Sequence, residues 1–226
     1  MGKISIWQRL LSYFKEIHIE SAPSELNPHL YVSLSKGRYM LSSAHAVYSH
    51  ADLYHNFGKV FDQIQFEKLP GKHCLILGLG LGSIPILLEK RNQQLTYVAV
   101  EKDPSVIYLA SKYAMSDIQS PLHVYEGDAS TLVRTQENQS FDMICMDIFV
   151  DDVIPKVFRQ SSFLEELRRL IHPKGLIIIN VLKDKEGERP INANFMDLLN
   201  KQFPKGQIIE VGPNTMFVSD QNYVRS

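Results

Sequence analysis

The chain has few cysteines, little net charge and no long apolar segment near its start, so its composition is that of an ordinary globular protein. Its 226 residues include two cysteines and one tryptophan, and the formal net charge is −1. A nearly neutral chain has no excess charge to hold a nucleic-acid backbone or an anionic membrane, so neither partner is predicted. Arg9 and polar neighbours interrupt the apolar pattern of residues 1–15, which argues against a signal peptide or a membrane span.

Both cysteines, Cys74 and Cys145, lie within apolar segments that are typical of central strands. Buried thiols of this kind stay free, so neither a disulfide nor a cysteine metal site is expected. Free thiols also suit a reducing compartment, and the chain is predicted to be cytoplasmic. The sequence contains no His-Glu-x-x-His motif, and no metal is predicted.

Residues 1–50 differ in pattern from the remainder of the chain. A helical stripe over residues 1–15 precedes a hairpin signal, in which Lys36-Gly37 separates strand-like runs at 30–34 and 38–41; a further strand is predicted at 46–48. We therefore predict an N-terminal helix with a small antiparallel module, residues 1–50, before a main domain, residues 51–226. The helix is expected to pack on its own chain, and a homodimer contact anchored by Trp7 is the alternative.

From residue 51 onward, helical and strand patterns follow one another regularly. Strands are predicted at 74–77, 95–101, 122–125, 141–146, 176–182, 207–211 and 216–219. Helices are predicted at 52–69, 83–91, 103–113, 129–135, 162–171 and 191–202. This alternation predicts an α/β fold with a doubly wound, mostly parallel seven-stranded sheet, and the last two strands predict an antiparallel edge hairpin.

The functional prediction starts from the segment His73–Ser83. An apolar strand leads into Gly78, Gly80 and Gly82, and a helical pattern begins at Ser83. Glycine allows a tight turn and leaves room beside a ligand, while the start of a helix presents N–H groups that favour an anionic group. The pattern predicts a nucleotide cradle, although a tight turn without a ligand fits the same residues.

Acidic residues follow three of the predicted strands, at the sheet edge where such folds bind ligands. Glu101 lies about twenty residues beyond the glycines, a spacing suited to an acid that grips ribose hydroxyls. Asp128 could accept a hydrogen bond from an adenine amino group or cap the helix that starts at Ala129. Because NAD binding also uses an acid at the second strand, Glu101 alone leaves an NAD site open.

These motifs, with Asp103-Pro104, Phe141-Asp142 and Pro173-Lys174-Gly175, resemble the class I S-adenosylmethionine-dependent methyltransferase superfamily. The N-terminal hairpins and residues 48–55, Tyr-Ser-His-Ala-Asp-Leu-Tyr-His, resemble its spermidine synthase-like branch. The resemblance implies a Rossmann-like methyltransferase fold that binds S-adenosylmethionine or its decarboxylated form. It implies donor binding by Gly78, Gly80, Gly82, Ser83, Glu101, Lys102, Asp128, Ala129 and Asp147.

The sequence departs from the aminopropyltransferase pattern at four places. Leu81 replaces an aspartate that grips the donor's amino group in that family, and Val150 replaces the second aspartate of its D-S-x-D motif. His55 replaces the glutamine of a tyrosine-glutamine pair, and Asn180 replaces a glutamine after the fifth strand. The residues that bind the donor are therefore expected to be retained, whereas those that bind a polyamine acceptor are partly replaced. This difference favours methyl transfer over aminopropyl transfer.

Asp147 is predicted to be the main catalytic residue, as a base toward the acceptor or as a group that steers it. Tyr54 and His55 are predicted to line the acceptor pocket, His55 as a base; alternatively, Tyr54 packs in the core and His55 faces solvent. We expect methyl transfer to a small acceptor, for which an amine is one candidate. The alternatives are an aminopropyltransferase, a catalytically silent nucleoside-binding module and, more distantly, an NAD oxidoreductase.

Overall fold

A computed structural model describes residues 4–27, 29–183 and 191–225. Within these ranges the helices are α1 (Ile6–Leu11), α2 (His55–Phe61), α3 (Ser83–Glu89), α4 (Pro104–Tyr113), α5 (Ala129–Thr135), α6 (Ser161–Leu170) and α7 (Ile191–Gln202). The strands are β1 (Ile17–Ala22), β2 (Leu30–Ser35), β3 (Arg38–Ser42), β4 (Val47–Ser49), β5 (His73–Leu77), β6 (Thr96–Glu101), β7 (Leu122–Glu126), β8 (Phe141–Met146), β9 (Ile171–Leu182), β10 (Gln207–Val211) and β11 (Asn214–Val218).

The main sheet has seven strands in the order β10-β11-β9-β8-β5-β6-β7. Strands β5 to β9 run parallel to one another, and the β10–β11 hairpin joins antiparallel beside β9. The predicted doubly wound sheet with an antiparallel edge hairpin is confirmed. The chain builds outward from β5 to β7 and then returns to β8 on the other side of β5, so the strand order switches between β5 and β8.

The N-terminal strands form a separate antiparallel sheet in the order β1-β2-β3-β4. The predicted hairpin of β2 and β3 is confirmed, whereas the edge strand β1 had not been predicted. The side chains of β1 are half-exposed or exposed, so this segment lacks the continuous apolar pattern by which a buried strand is recognised. Leu30, Val32 and Leu41 of this sheet share one buried apolar cluster with residues of β5 and α2, so the sheet packs on the main body.

Helix α1 does not pack on its own chain, and that expectation is wrong. None of its residues is buried, and Trp7 is 80% exposed. Its attachment is at its end: the buried Ser12 hydroxyl accepts a hydrogen bond from Gly37 N at 2.8 Å, and Ser12 O accepts one from Lys36 N at 2.8 Å. The helix is therefore held by the β2–β3 turn, and its apolar face is left exposed.

The continuous helix predicted over residues 52–69 is also wrong. A 3₁₀ turn over Ala51–Leu53, the short helix α2 and a second 3₁₀ turn over Phe66–Lys68 occupy this range. Between them the backbone pairs with the end of the chain, because Gln65 N donates to Tyr223 O at 2.8 Å and Gln63 O accepts from Arg225 N at 2.8 Å. These contacts take backbone groups that a longer helix would need. Within the described residues, no helix is long and apolar enough to cross a membrane.

Candidate functional site

A cleft opens at the carboxyl ends of β5, β6, β7 and β8, at the point where the strand order switches. The space within it, including open solvent at its mouth, is about 940 Å³. Side chains from the strand ends form one side of it. The other side is apolar and follows β8, with Phe149, Pro155 and Phe158 as its larger members.

The glycine turn shapes the floor of the cleft. Gly78 has φ +90°, and a Cβ at this position would collide with the backbone carbonyl oxygen of Asp147. Gly80 has φ +54°, and a Cβ there would lie 3.0 Å from Tyr48 O. Glycine is needed at both positions because the turn passes close to two other backbone segments. Both residues lie on the cleft surface.

Gly82 and Ser83, which were also predicted to bind the donor, lie outside the cleft surface. Gly82 has φ +80° and precedes α3. The buried Ser83 hydroxyl lies 2.6 Å from that of Ser49 and accepts a hydrogen bond from His50 N at 3.0 Å. These contacts join the turn to the N-terminal sheet. The side chain of Leu81 is buried and does not face the cleft either.

Glu101 ends β6, and its carboxylate is fixed by main-chain donors. Leu79 N donates to Oε2 at 3.1 Å, while Lys102 N and Asp103 N donate to Oε1 at 2.8 and 3.0 Å. Burial raises the pKa of Glu101 above its ordinary value, although these N–H groups oppose the rise. A carboxylate has about four acceptor positions, so Glu101 keeps room for a hydroxyl from a ligand in the cleft.

Asp128 performs the capping role that the sequence suggested. Its Oδ1 accepts from Ser130 N at 2.8 Å at the start of α5, and its Oδ2 lies 3.0 Å from Lys102 Nζ. Burial alone would raise the pKa of Asp128, but the hydrogen bonds from Ser130 and Lys102 hold it below the ordinary value. Lys102, Asp128 and the buried Ala129 all lie on the cleft surface, so the cap and a ligand contact are compatible.

Asp147 follows β8 and is held by side chains instead. Asn180 Nδ2 donates to its Oδ1 at 2.8 Å, and the neighbouring Tyr54 hydroxyl also favours the charged form of this carboxyl group. Burial raises the pKa of Asp147 to about 6, and the charge of Glu101 adds to the rise, while Asn180 and Tyr54 oppose it. This carboxyl group can therefore take up or release a proton near neutral pH.

The two neighbouring candidates Tyr54 and His55 are separated by the start of α2. Tyr54 is buried and reaches the cleft, and burial raises its pKa well above the ordinary value. His55 is exposed and lies outside the cleft surface. Tyr54 is the extended residue just before α2 and His55 is the first residue of that helix, and the two side chains face different surroundings. The arrangement gives no support to His55 as a catalytic base.

Sequence reasoning missed a strap of residues 24–27 and Tyr48 that spans the cleft. Asn27 Nδ2 donates to Asp103 Oδ2 at 2.7 Å after β6, and Asn27 Oδ1 accepts from the Tyr48 hydroxyl at 2.7 Å. Asp151 N, after β8, then donates to the Tyr48 oxygen at 2.5 Å. The only signal was Tyr48 in the 48–55 motif, since contacts between distant segments leave no local pattern.

Asp151 itself accepts hydrogen bonds from Ser43 Oγ at 2.6 Å and His45 N at 3.2 Å. Burial alone would raise the pKa of Asp151, but these contacts and the His45 ring hold it below the ordinary value. In the part of the chain that the structure describes, no three His, Cys, Asp or Glu residues are grouped to hold a metal ion.

Comparison with known proteins identifies the family. A family model described as a methyltransferase domain matches residues 68–217. A probable polyamine aminopropyl transferase of Bifidobacterium longum is 26% identical over 143 residues, which are 63% of this chain and 31% of that protein. The chain thus spans about a third of the length of that relative.

Solved structures share the fold. Human methyltransferase-like protein 13, in complex with SAH, is 21% identical, with a TM-score of 0.59 over 73% of this chain and 79% of that one. A probable spermidine synthase from Corynebacterium glutamicum is 17% identical, with a TM-score of 0.68 over 90% of this chain and 79% of that one. The match to the probable spermidine synthase covers 90% of this chain, which is more residues than the range 51–226 contains. The structural similarity therefore extends into the N-terminal sheet. Because the family model matches well over half of the residues, the chain belongs to the methyltransferase domain family.

Proposed function

We propose that the chain is an S-adenosylmethionine-dependent methyltransferase that acts on a small, amine-type acceptor. The observation that carries the proposal is the pair of carboxyl groups in one cleft. Glu101 is fixed by three main-chain N–H groups, and Asp147 is a partly buried acid with a pKa raised to about 6. The first suits ligand binding, and the second suits proton transfer.

The residues of the cleft fit this donor. Glu101 has a spare acceptor position for a ribose hydroxyl, and Gly78 and Gly80 leave the floor free of side chains. Lys102, Asp128 and Ala129 complete the group that we propose holds the donor. Gly82 and Ser83 support it by shaping the turn. When bound, S-adenosylmethionine supplies a methyl group that is already activated by a cationic sulfur.

Asp147 acts on the acceptor. Above about pH 6 its carboxylate attracts a protonated amine and aligns it for attack. The amine must lose a proton to become a nucleophile, and Asp147 receives that proton. Asn180 holds the carboxylate in place during this transfer, and Tyr54 favours its charged form.

Aminopropyl transfer is the second candidate, and the charge of the cleft favours it. Among the described residues, the cleft surface carries four acidic side chains, Glu101, Asp103, Asp128 and Asp147, and one cationic side chain, Lys102. Lys102 is already paired with Asp128, so the cleft provides little to neutralise the carboxylate of the full donor. The buried Leu81 in place of an aspartate favours methyl transfer.

The experiment is calorimetry of the full chain with S-adenosylmethionine, its decarboxylated form, methylthioadenosine and NAD. We expect S-adenosylmethionine to bind, and Glu101→Gln to weaken binding by about 1.5 to 3 kcal/mol through lost hydrogen bonds to a charged group. Glu126→Gln is the matched control, because Glu126 is an exposed carboxylate at the end of the neighbouring β7. Preference for the decarboxylated donor would select aminopropyl transfer, and binding of NAD alone would contradict both.

Turnover is then measured with a panel of small amines, by formation of S-adenosylhomocysteine. Asp147→Asn should keep the donor affinity and lose turnover, because it removes the base and leaves Glu101 intact. Full activity of Asp147→Asn would contradict the assigned role. Donor binding without turnover on small amines would point to a protein acceptor or a silent binding module.

We also propose a cytoplasmic homodimer in which residues 1–50 are accessory to residues 51–226. The support for the location is that Cys74 and Cys145 are both free and buried, as suits a reducing compartment. The support for the dimer is the exposed apolar face of α1.

A further inference from the structure

A hydrogen-bonded chain of two buried asparagines leads from the edge hairpin to Asp147. Asn214 is the first residue of β11, and Asn180 lies in the neighbouring strand β9. Asn180 pairs with Met216, two residues beyond Asn214, so the two asparagine side chains are diagonal neighbours on one face of the sheet. Asn214 Nδ2 donates to Asn180 Oδ1 at 2.8 Å.

This contact decides which end of the Asn180 amide faces Asp147. An amide has one acceptor end and one donor end, and Asn214 occupies the acceptor end. Asn180 Nδ2 is therefore the end that reaches Asp147 Oδ1, at 2.8 Å. A reversed amide would place two oxygen atoms against each other, which only a protonated Asp147 could accommodate.

We propose that Asn214 is a positioning residue of the transferase site, which orients Asn180 so that its NH₂ group holds Asp147 in its ionised, proton-accepting form. This inference rests on the proposed function for its catalytic consequence. Asn214 lies outside the cleft surface, so it acts through Asn180 and not on a ligand.

Three titratable groups face Asp147 besides its asparagine partner. Tyr54, which precedes α2, favours its charged form; Glu101, at the end of β6, repels it; and Cys145 lies two residues earlier in β8. Loss of the Asn180 donor would leave Tyr54 as the group that favours the charged form. Without the Asn180 donor, the pKa of Asp147 should rise.

The first test follows the ¹³C resonance of the Asp147 carboxyl group against pH in the ligand-free full chain, assigned by its loss in Asp147→Asn. Asn214→Leu should raise the pKa of Asp147 by about one pH unit, because it weakens a hydrogen bond to a charged group. Asn180→Leu should raise it at least as much. Thr215→Val, at the adjacent, oppositely directed position of β11, is the control and should leave the pKa unchanged. An unchanged value in Asn214→Leu would overturn the inference.

Two further measurements cover the case in which Asn214→Leu does not fold. When ionised, the residue in Asn214→Asp offers oxygen acceptors only, so Asn180 turns its NH₂ group toward residue 214; the lost donor and the added negative charge should both raise the pKa of Asp147 further. In the wild-type chain, the side-chain NH₂ resonances of Asn180 and Asn214 should shift together with the titration of Asp147. An Asn214 resonance that does not move would also overturn the inference.

The activity measurement separates this inference from the proposed function. If the chain is active, the acidic limb of its kcat profile should move to higher pH in Asn214→Leu by the same amount as the carboxyl titration. If the wild-type chain has no transferase activity, the proposed function fails, while the ¹³C titration still tests the orientation of Asn180. A stability role alone would lower the melting temperature without moving either titration.

Discussion

Glu101 and Asp147 are carboxylates at strand ends on the two sides of β5, yet the groups around them differ in kind. Main-chain N–H groups hold Glu101, and ordinary side-chain substitutions leave these donors in place. Asp147 is instead held by a side chain, that of Asn180. The orientation of Asn180 depends in turn on its hydrogen bond with Asn214. The first arrangement is suited to a fixed binding contact, and the second to a group whose protonation can be tuned.

The raised pKa of Asp147 predicts a pH dependence of stability. Between about pH 4 and its folded-state pKa of about 6, the native chain retains a proton that the unfolded chain has lost. Rising pH therefore favours unfolding across this window, by about 2 to 3 kcal/mol in total. Asp147→Asn cannot ionise and should lose none of this stability.

The measurement is urea unfolding of both proteins from pH 4 to pH 8. The stability advantage of Asp147→Asn over the wild type should grow up to about pH 6 and then stay constant. Glu137→Gln, which replaces an exposed carboxylate, is the control. A constant difference between Asp147→Asn and the wild type over the whole range would show that the pKa of Asp147 is not raised.

At the scale of elements, the turn between β5 and α3 is the part that brings the site together. Because Gly78 has no side chain, the backbone after β5 packs directly against the backbone after β8. Because Gly80 has none, the same turn packs against the backbone of Tyr48. The strap and the loop after β8 meet above the same turn. The position of Asp147 therefore depends on the absence of one side chain at Gly78.

Substitution of Gly78 tests this dependence. Gly78→Ala should destabilise the chain by about 2 kcal/mol or more and weaken donor binding at least tenfold, because its Cβ would displace the backbone at Asp147. Gly212→Ala is the matched control, since Gly212 also has a positive φ, +58°, but has open space around its Cβ position. It should cost about 1 kcal/mol of stability and leave donor affinity unchanged. Equal effects of the two substitutions on donor affinity would contradict this role for Gly78.

At the scale of the whole molecule, two sheets share one core and leave one helix uncovered. The N-terminal sheet buries its apolar side chains against α2 and β5, and it also provides the strap over the cleft. Helix α1, in contrast, exposes Ile6, Trp7 and the neighbouring Phe14 to solvent. An apolar surface of this kind on a folded chain is typical of a contact with another protein.

The dimer proposal predicts that Trp7 anchors the contact between two copies. Analytical ultracentrifugation of the wild-type chain should show a concentration-dependent dimer, and Trp7→Ser should raise the dimer dissociation constant at least tenfold. Tyr108→Ser removes a half-exposed aromatic ring from α4 and should have no effect. A wild-type chain that stays monomeric at high concentration would rule out the dimer.

Much of the fold followed from local pattern. The period of the apolar residues indicated the strands and helices of the main sheet, and the turn residues marked most of their ends. The helix expected over residues 52–69 failed because residues 63–65 pair with residues 223–225, a contact between segments far apart in the chain. The helix α1 was predicted correctly as a helix and wrongly as a packed one, since amphipathicity does not specify what covers an apolar face.

The sequence by itself determined the glycine turn and the acids at the strand ends, because parallel strands place their carboxyl ends at one edge of a sheet. Only the tertiary structure decided that Tyr54 faces the cleft while His55 does not, and that Ser83 holds the N-terminal sheet. It also decided that Asn27, Tyr48, Asn180 and Asn214 belong to the surroundings of the site. The reason is physical: the orientation of a side chain and the pKa of a carboxyl group depend on partners that are close in space and distant in sequence.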